Sequence, residues 1–255
     1  MQNTIKRNEQ NPNRMNHQQT LERMRDLRLH GMAAAMQGLL ESKTLASTSA
    51  DQLLALLLQQ EWDERNNRKI SRLTRSARFR YAASLQEVKP DARRNLPAEQ
   101  LALLSTCEWV HKAENLMITG PTGVGKSHLA SAIGHHCCQM GLKVVYHNTQ
   151  KLYQALRLGR LDGTHRRQIQ QIARADLLIL DDFGLQRPDE TARLDLLEIV
   201  EDRHGRRSMI IASQLPVGIW YDIIAEPTIA DAILDRIVAN AHRIELTGES
   251  LRKRK

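Results

Sequence analysis

Hydrophobic positions change their spacing partway along the chain, and this change divides the sequence into two parts. In the first part, leucines and methionines recur three or four positions apart, the spacing that places side chains on one face of a helix. After Pro97, short apolar runs alternate with amphipathic helical stretches. The pattern predicts a helical domain over residues 20–88, a linker over 89–98 that contains two prolines, and a second domain over 99–247.

The second domain holds five short apolar runs that are typical of buried strands. Because helical stretches separate them, the pattern predicts a parallel sheet that is covered by helices on both faces. The predicted fold class is therefore α/β, with a small all-α N-terminal domain in front of it. The predicted strands are Leu116–Thr119, Lys143–His147, Leu177–Asp181, Ser208–Ser213 and His242–Glu245.

Composition narrows the class of protein. The chain has 255 residues, of which 41% are hydrophobic, and this excludes intrinsic disorder for most of it. Three irregularly spaced cysteines do not form a disulfide framework, and no apolar run approaches the length that spans a bilayer. These features predict a cytoplasmic protein with no membrane partner. The net charge of +8 favours a polyanionic partner. Polar residues 1–19 are expected to be flexible, and residues 248–255 to form a basic tail.

The segment Gly120-Pro-Thr-Gly-Val-Gly-Lys-Ser127 fits G-x-x-x-x-G-K-[ST], the pattern of a phosphate-binding loop. A predicted strand precedes it and a helical stretch follows it, which is the order that this chemistry needs. Glycines let backbone N–H groups converge on phosphate oxygens, and the helix N-terminus adds partial positive charge. The alternative is a glycine turn before an ordinary helix. The predicted nucleotide contacts are Gly120, Pro121, Thr122, Gly123, Val124, Gly125, Lys126, Ser127 and His128.

A second signal supports a nucleotide site. The apolar run 177–180 leads into Asp181 and Asp182, and ligands bind at the carboxyl ends of strands in open α/β sheets. We expect Lys126 to place its charge on the β- and γ-phosphates of ATP, and Ser127 and Asp181 to hold Mg²⁺. We expect Asp182 to orient or deprotonate the attacking water. The alternative is a solvated strand end.

Three segments together resemble the IstB-like branch of the AAA+ ATPases: GPTGVGKSHLA at 120–130, LLILDDFG at 177–184 and ILDRIVANAHRIELTGESLR at 233–252. These are transposition helper proteins, encoded beside a transposase in certain insertion sequences, and they are similar to bacterial helicase loaders of the DnaC and DnaI type. The resemblance covers residues 101–255, and residues 21–86 look like the helper proteins rather than the loaders. It implies an AAA+ P-loop core with ATP and Mg²⁺ as cofactors. It also implies a homo-oligomer, in a ring or spiral, with duplex DNA and a transposase as partners.

The same resemblance implies roles for two further residues. Gln214 stands after a predicted strand, where AAA+ proteins place a polar residue that senses the γ-phosphate and many relatives have Asn. Arg236 stands where the family places its arginine finger, which acts on ATP bound by a neighbouring subunit. The alternatives are a surface glutamine and a helix-surface arginine. Many AAA+ enzymes have Asp-Glu where this chain has Asp181-Asp182, and the shorter second side chain predicts slow intrinsic hydrolysis. The predicted catalytic residues are Lys126, Asp182, Gln214 and Arg236.

Two basic clusters are candidate DNA contacts. No acidic residue stands between Glu64 and Glu87, and basic side chains on one helical face of this stretch can meet backbone phosphates or an acidic transposase surface. The second cluster flanks the segment Gly159–Gly163. Aromatic residues are only 4% of the chain, so phosphate contacts with duplex DNA fit better than base stacking. Each cluster is alternatively a solvated surface. The candidates are Arg65, Arg68, Lys69, Arg72 and Arg75, and then Arg157, Arg160, Arg166 and Arg167.

The sequence therefore predicts an AAA+ ATPase that assembles on duplex DNA and recruits or activates a transposase. Three other functions stay open. A replicative helicase loader shares the ATPase core. A nucleotide or small-molecule kinase shares the phosphate loop, but it needs an acceptor site and usually a mobile lid. A non-catalytic DNA-binding scaffold would keep the loop as a vestige.

Overall fold

The computed structural model of the protein describes residues 16–251, and residues 1–15 and 252–255 lie outside it. Residues 1–15 of the expected flexible N-terminus (1–19) and residues 252–255 of the expected basic tail (248–255) therefore fall outside the described residues.

The chain divides into two compact units after Lys69. The sequence predicts this boundary further along the chain, at the linker 89–98. In the structure, residues 70–88 belong to the second compact unit. Within the described part of the chain, none of the helices combines the length and the apolar character that crossing a bilayer requires.

The first unit is helical, as the hydrophobic spacing predicts. Helix α1 begins inside the segment that is expected to be flexible, where Asn16 and Gln19 form a reciprocal capping pair. Each of these side chains accepts a hydrogen bond from the backbone N–H of the other residue. The helices are α1 (His17–Asp26), α2 (His30–Glu41) and α3 (Ala50–Ala77), the last of which extends past the end of the first unit.

A buried carboxylate from α3 caps α2 within the first unit. Glu61 accepts hydrogen bonds from the backbone N–H groups of Gly31 at 2.8 Å and Met32 at 3.2 Å. Helix α2 has no side-chain cap at its own N-cap residue, so Glu61 satisfies N–H groups that the first turn leaves open. Burial raises the pKa of Glu61, but hydrogen bonds from Arg65 and from these N–H groups outweigh burial, and the pKa is lowered overall. One candidate DNA contact, Arg65, therefore also stabilises this unit.

Helix α3 ends at Ala77, well before the end of the helical domain that the sequence predicts over residues 20–88. Arg78 has a left-handed backbone (φ 56°), which a right-handed helix does not continue through. The next residue, Phe79, packs edge-on against Tyr146 of the second unit, with ring centroids 6.3 Å apart. The helix ends at this point because Phe79 packs against the buried ring of Tyr146 beside the sheet.

The second unit contains the predicted parallel sheet, whose five strands lie in the order β2-β3-β4-β1-β5. Each predicted strand is present, with its ends shifted by no more than two residues. The strands are β1 (Asn115–Thr119), β2 (Val144–Asn148), β3 (Leu177–Phe183), β4 (Ser208–Ser213) and β5 (Ala241–Glu245).

Helices cover both faces of the sheet, and each face has its own hydrophobic core. Successive side chains of a strand point to opposite faces, so Leu116 and Ile118 of β1 belong to one core and Met117 belongs to the other. This architecture confirms the predicted α/β fold class. The helices of this unit are α4 (Ala98–Ser105), α5 (Glu108–His111), α6 (Lys126–Gln139), α7 (Thr149–Asp162), α8 (His165–Ala173), α9 (Glu190–Arg203), α10 (Trp220–Ile224) and α11 (Pro227–Val238).

The predicted linker 89–98 packs against the sheet-bearing unit. The side-chain amide of Asn95 donates to the backbone carbonyl of Glu245 at 3.1 Å, and the backbone N–H of Thr247 donates to the carbonyl of Arg94 at 3.2 Å. The guanidinium of Arg94 donates to the carbonyl of Val124 inside the phosphate loop. These residues therefore form part of the surroundings of the loop.

Candidate nucleotide-binding site

The phosphate loop fills the space between the end of β1 and the start of α6. Gly120 has φ 137°, and a Cβ at this position would come within 2.1 Å of the carbonyl oxygen of Leu246. Gly123 has φ 88°, and a Cβ there would come within 2.2 Å of Ser250 Oγ. Both positions require glycine because the backbone is left-handed and closely covered. The loop thus keeps the bare backbone that close approach by a phosphate needs.

The two side chains that open α6 connect the loop to the sheet. Lys126 is almost fully buried, and its Nζ donates to the carbonyls of Gly120 at 2.7 Å and Pro121 at 2.9 Å. Ser127 Oγ donates to Asp181 Oδ1 at 2.8 Å. The structure therefore brings together the two predicted Mg²⁺ ligands, which are 54 positions apart in the sequence.

A β-bulge places both acids of the pair within reach of one partner. In a regular strand, Asp181 and Asp182 would point to opposite faces of the sheet. The register between β3 and β4 shifts at this point, and Asp182 has φ 58°. Arg80 Nη1 consequently lies 3.3 Å from Asp181 Oδ2 and 2.9 Å from Asp182 Oδ2. Asp181 is fully buried and Asp182 is partly exposed, which suits a metal ligand and a group that contacts water, respectively.

Sequence reasoning does not place three of the residues that surround this acid pair. They are Arg80, Tyr146 and Asn148. The hydroxyl of Tyr146 donates to Asp181, and Asn148 Nδ2 donates to Asp182 Oδ2 at 2.9 Å. Burial raises the pKa of Tyr146, and its hydrogen bond to Asp181 raises it further, so the phenol stays a donor. Asn148 lies beside Asp181 in the pairing of β2 with β3, and a polar residue at the end of the second predicted strand is the signal that points to it.

A cavity of about 250 Å³ lies beside the loop and the acid pair. Gln214 borders it, and its Oε1 accepts a hydrogen bond from Thr122 Oγ1 at 2.6 Å. The side chain of Val124 is buried in the core, so the nucleotide contact predicted for this residue would come from its backbone N–H. The cavity is lined by Tyr81, Thr122, Gly123, Gly125, Lys126, Ser127, His128, Asp182, Gln214 and Leu251.

These residues fit a nucleotide with a divalent cation. The loop has glycines in left-handed conformations at positions 120, 123 and 125, so its backbone N–H groups can converge without side chains, and Lys126 adds a positive charge beside it. The hydroxyl of Ser127 and the carboxylate of Asp181 are the oxygen donors that hard cations such as Mg²⁺ prefer.

The family model for the IstB-like ATP binding protein matches residues 22–255, and therefore nearly the whole chain. The chain belongs to this family. A Sinorhizobium fredii protein that is named for an insertion sequence and for ATP binding is 45% identical to this IstB-like chain over 234 residues, which are 92% of this chain and 96% of the relative. A relative from Pseudomonas fluorescens, named in the same way for the insertion sequence IS1162, is 42% identical over 78% of this chain and 87% of its own length.

Solved structures confirm that the IstB-like chain has the AAA+ fold. The DnaC helicase loader matches with a TM-score of 0.51 and 21% identity, over 66% of this chain and 98% of its own. The replication initiator DnaA, solved with AMPPCP and single-stranded DNA, matches with a TM-score of 0.54 and 20% identity, over 68% of this chain and 53% of its own.

Arg236 of this IstB-like protein lies at the end of the sheet opposite the phosphate loop. Its backbone carbonyl accepts a hydrogen bond from Asn115 Nδ2, and Asn115 begins β1 while the loop follows the other end of that strand. At about 3.3 Å per residue, the length of β1 separates the two by roughly 13 Å. The guanidinium contacts Glu201 at 3.2 Å and the carbonyl of Ala232 at 2.6 Å. Arg236 thus lies outside the site of its own subunit, and its action on a neighbouring subunit stays a prediction.

The structure gives the candidate DNA contacts different surroundings. Arg68 pairs with Glu64 at 2.8 Å, and the guanidinium of Arg160 binds Asp195, which is buried. The segment Gly159–Gly163 is mostly the last turn of α7, and this turn presents Arg160 to the acid. The remaining candidates are exposed: Lys69, Arg72, Arg75, Arg157, Arg166 and Arg167.

Proposed function

We propose that this IstB-like protein is an ATP-dependent helper of DNA transposition. It hydrolyses ATP, assembles on duplex DNA, and recruits or activates a partner transposase. The observation that carries the ATPase part is the contact of the loop residue Ser127 with Asp181, in a site where Asp182 also faces the cavity. The insertion-sequence names of its relatives support the transposition part.

The chain's own side chains divide the work of hydrolysis. Lys126 binds the β- and γ-phosphates, and Ser127 and Asp181 hold Mg²⁺. Bound Mg²⁺ supplies positive charge against the phosphate oxygens. Asp182 accepts the proton of the attacking water, since its carboxylate borders the cavity and is partly exposed. Gln214 orients that water through its amide.

Helicase loading is the alternative that shares this site. The likeness to DnaC covers 66% of the chain and is a likeness of fold, whereas the Sinorhizobium fredii relative matches 92% of the chain and therefore includes most of the helical first unit. We therefore favour a transposase as the partner of that unit.

The partner assignment is tested by capture on DNA. Immobilised duplex DNA is incubated with the full chain, a non-hydrolysable ATP analogue, and either the transposase of the same insertion sequence or the host replicative helicase. We expect an oligomer on DNA that retains the transposase and loses it with ADP. Retention of the helicase instead, or no dependence on nucleotide, would contradict the proposal.

The exposed arginines of α7 and α8 are expected to contact DNA backbone phosphates. The triple variant Arg157→Ala, Arg166→Ala, Arg167→Ala should bind duplex DNA more weakly, because it loses contacts with phosphates. Each lost contact should also reduce the steepness of the plot of log affinity against log salt concentration by about 0.9. Fluorescence anisotropy at several salt concentrations measures this slope.

Arg160→Ala is the matched control for these arginines. It should instead lower the free energy of unfolding by about 1–3 kcal/mol, because the buried carboxylate of Asp195 loses a charged partner. An unchanged salt slope in the folded triple variant would show that these arginines do not touch DNA.

A further inference from the structure

Arg80 places a positive charge between the two acids of the candidate site. A single nitrogen, Nη1, lies 3.3 Å from Asp181 and 2.9 Å from Asp182. The acid side chains are 1% and 18% exposed, so this ion pair is largely shielded from water on the acid side. The guanidinium is planar and permanently charged, and it is well suited to hold two carboxylates together.

Both carboxylates have other partners in the proposed reaction. Asp181 helps to hold Mg²⁺, and Asp182 accepts a proton from water. A carboxylate oxygen that already accepts a charged hydrogen bond is a weaker acceptor for water. A cation between two acids also opposes a second cation there by like-charge repulsion. The observed position of Arg80 therefore opposes hydrolysis.

The neighbours of Arg80 fix the backbone on either side of it. Phe79 packs against Tyr146, and a Cβ at Gly134 would come within 2.6 Å of the Phe79 ring, so the ring is closely seated. On the other side, Tyr81 lines the cavity beside the loop, with its ring centroid 6.1 Å from that of His128. The segment that carries Arg80 is thus built into the site.

The same segment follows directly from a basic helix. Helix α3 ends at Ala77, three residues before Arg80, and its last turns carry the exposed side chains of Arg72 and Arg75. A force that DNA phosphates exert on these side chains acts on the backbone that leads into Arg80.

We propose that Arg80 is an autoinhibitory contact that keeps Mg²⁺ and the attacking water from the acid pair until duplex DNA engages the end of α3 and withdraws it. This inference rests on the proposed ATPase function and adds the regulation of the same site. It also gives a structural reason for the slow intrinsic hydrolysis that the sequence predicts.

The test compares Arg80→Ala with Arg80→Lys and with Lys89→Ala, which removes an exposed charge from the same part of the chain. Without DNA, Arg80→Ala should hydrolyse ATP about tenfold faster than wild type, which corresponds to about 1.4 kcal/mol of barrier. Its stimulation by DNA should shrink by the same factor. The hydrolysis rate of Arg80→Lys should lie between those of wild type and Arg80→Ala, and the rate of Lys89→Ala should match that of wild type.

A second readout does not depend on turnover. The Mg²⁺ concentration that gives half-maximal binding of a fluorescent ATP analogue should fall at least threefold in Arg80→Ala, because the competing cation is gone. A slower Arg80→Ala that still binds the analogue, or an unchanged Mg²⁺ requirement, would overturn the inference. If the proposed ATPase function is wrong, the result is different, because wild type would bind nucleotide and show no hydrolysis with DNA. The Mg²⁺ titration would still show whether Arg80 opposes Mg²⁺ binding.

Discussion

Asp182→Asn is expected to lower ATP hydrolysis by about 10²- to 10⁴-fold and to leave nucleotide binding within a few-fold of wild type. The amide keeps the size of the side chain but cannot accept the proton of water. Asp182 makes no contact with the phosphate loop among the hydrogen bonds of the described residues, so the loop should keep its affinity. Single-turnover hydrolysis and titration with a fluorescent ATP analogue measure the two quantities.

Two further variants serve as controls for Asp182→Asn. Asp189→Asn makes the same chemical change at the N-cap of α9, where Asp189 accepts a hydrogen bond from the N–H of Ala192 and Asn caps a helix equally well, so activity should be unchanged. Lys126→Ala should lose nucleotide binding itself, because it removes the cation of the loop. Together they separate loss of the base from loss of fold and from loss of the nucleotide.

The outcome also tells apart two roles of Asp182. If the carboxylate served only to hold Arg80, Asp182→Asn would release that contact and hydrolysis would rise. A rise would therefore contradict the assignment of Asp182 as the base. A fall in the rate of hydrolysis would agree with Asp182 as the base and with Arg80 as a group that inhibits it.

The sequence predicted the sheet well because buried parallel strands are short, uniformly apolar runs between helices. It also assigned Ser127 and Asp181 to one site, because the carboxyl ends of parallel strands meet at one edge of the sheet, and the two side chains lie in contact there. Sequence reasoning missed Asn148, although the same rule, applied to β2, points to it.

Arg80 could not be found in this way. It interacts with Asp181 and Asp182, more than 100 positions away, and it reaches them only because the chain leaves α3 at Arg78. The sequence assigned residues 79–81 to the helical domain, because the local pattern does not show that Phe79 packs against Tyr146 beside the sheet. The packing of the second unit overrides the local signal there.

Arg160 shows a similar limit for charged residues. A run of arginines in the sequence predicts a basic surface, but Asp195 lies 35 positions away and is buried under Arg160. Pairing with a distant acid gives a candidate DNA contact a structural role as well, and composition cannot show that role. The same holds for Arg65, which pairs with the capping carboxylate of Glu61.

Arg236→Ala is expected to bind nucleotide normally and to lose about 10³-fold or more of DNA-stimulated hydrolysis, the loss that follows removal of an arginine finger. The residue lies at the end of the sheet away from its own loop, so an arginine finger at this position would have to act on ATP that a neighbouring subunit binds. The rate is measured with saturating duplex DNA, and assembly is followed by light scattering. Glu201→Gln, which removes the carboxylate that Arg236 contacts at 3.2 Å, should keep most of the rate.

Mixing two inactive variants decides whether Arg236 acts between subunits. Asp182→Asn keeps the finger, and Arg236→Ala keeps the base, so an interface that takes one contribution from each is complete. With equal amounts and random assembly through head-to-tail contacts, about a quarter of the interfaces should be complete and the rate should recover accordingly. No recovery from well-folded, co-assembled variants would place both groups in one subunit. If Arg236→Ala and Glu201→Gln both lower the melting temperature by the same amount, Arg236 would instead be assigned to the packing of α9 against α11.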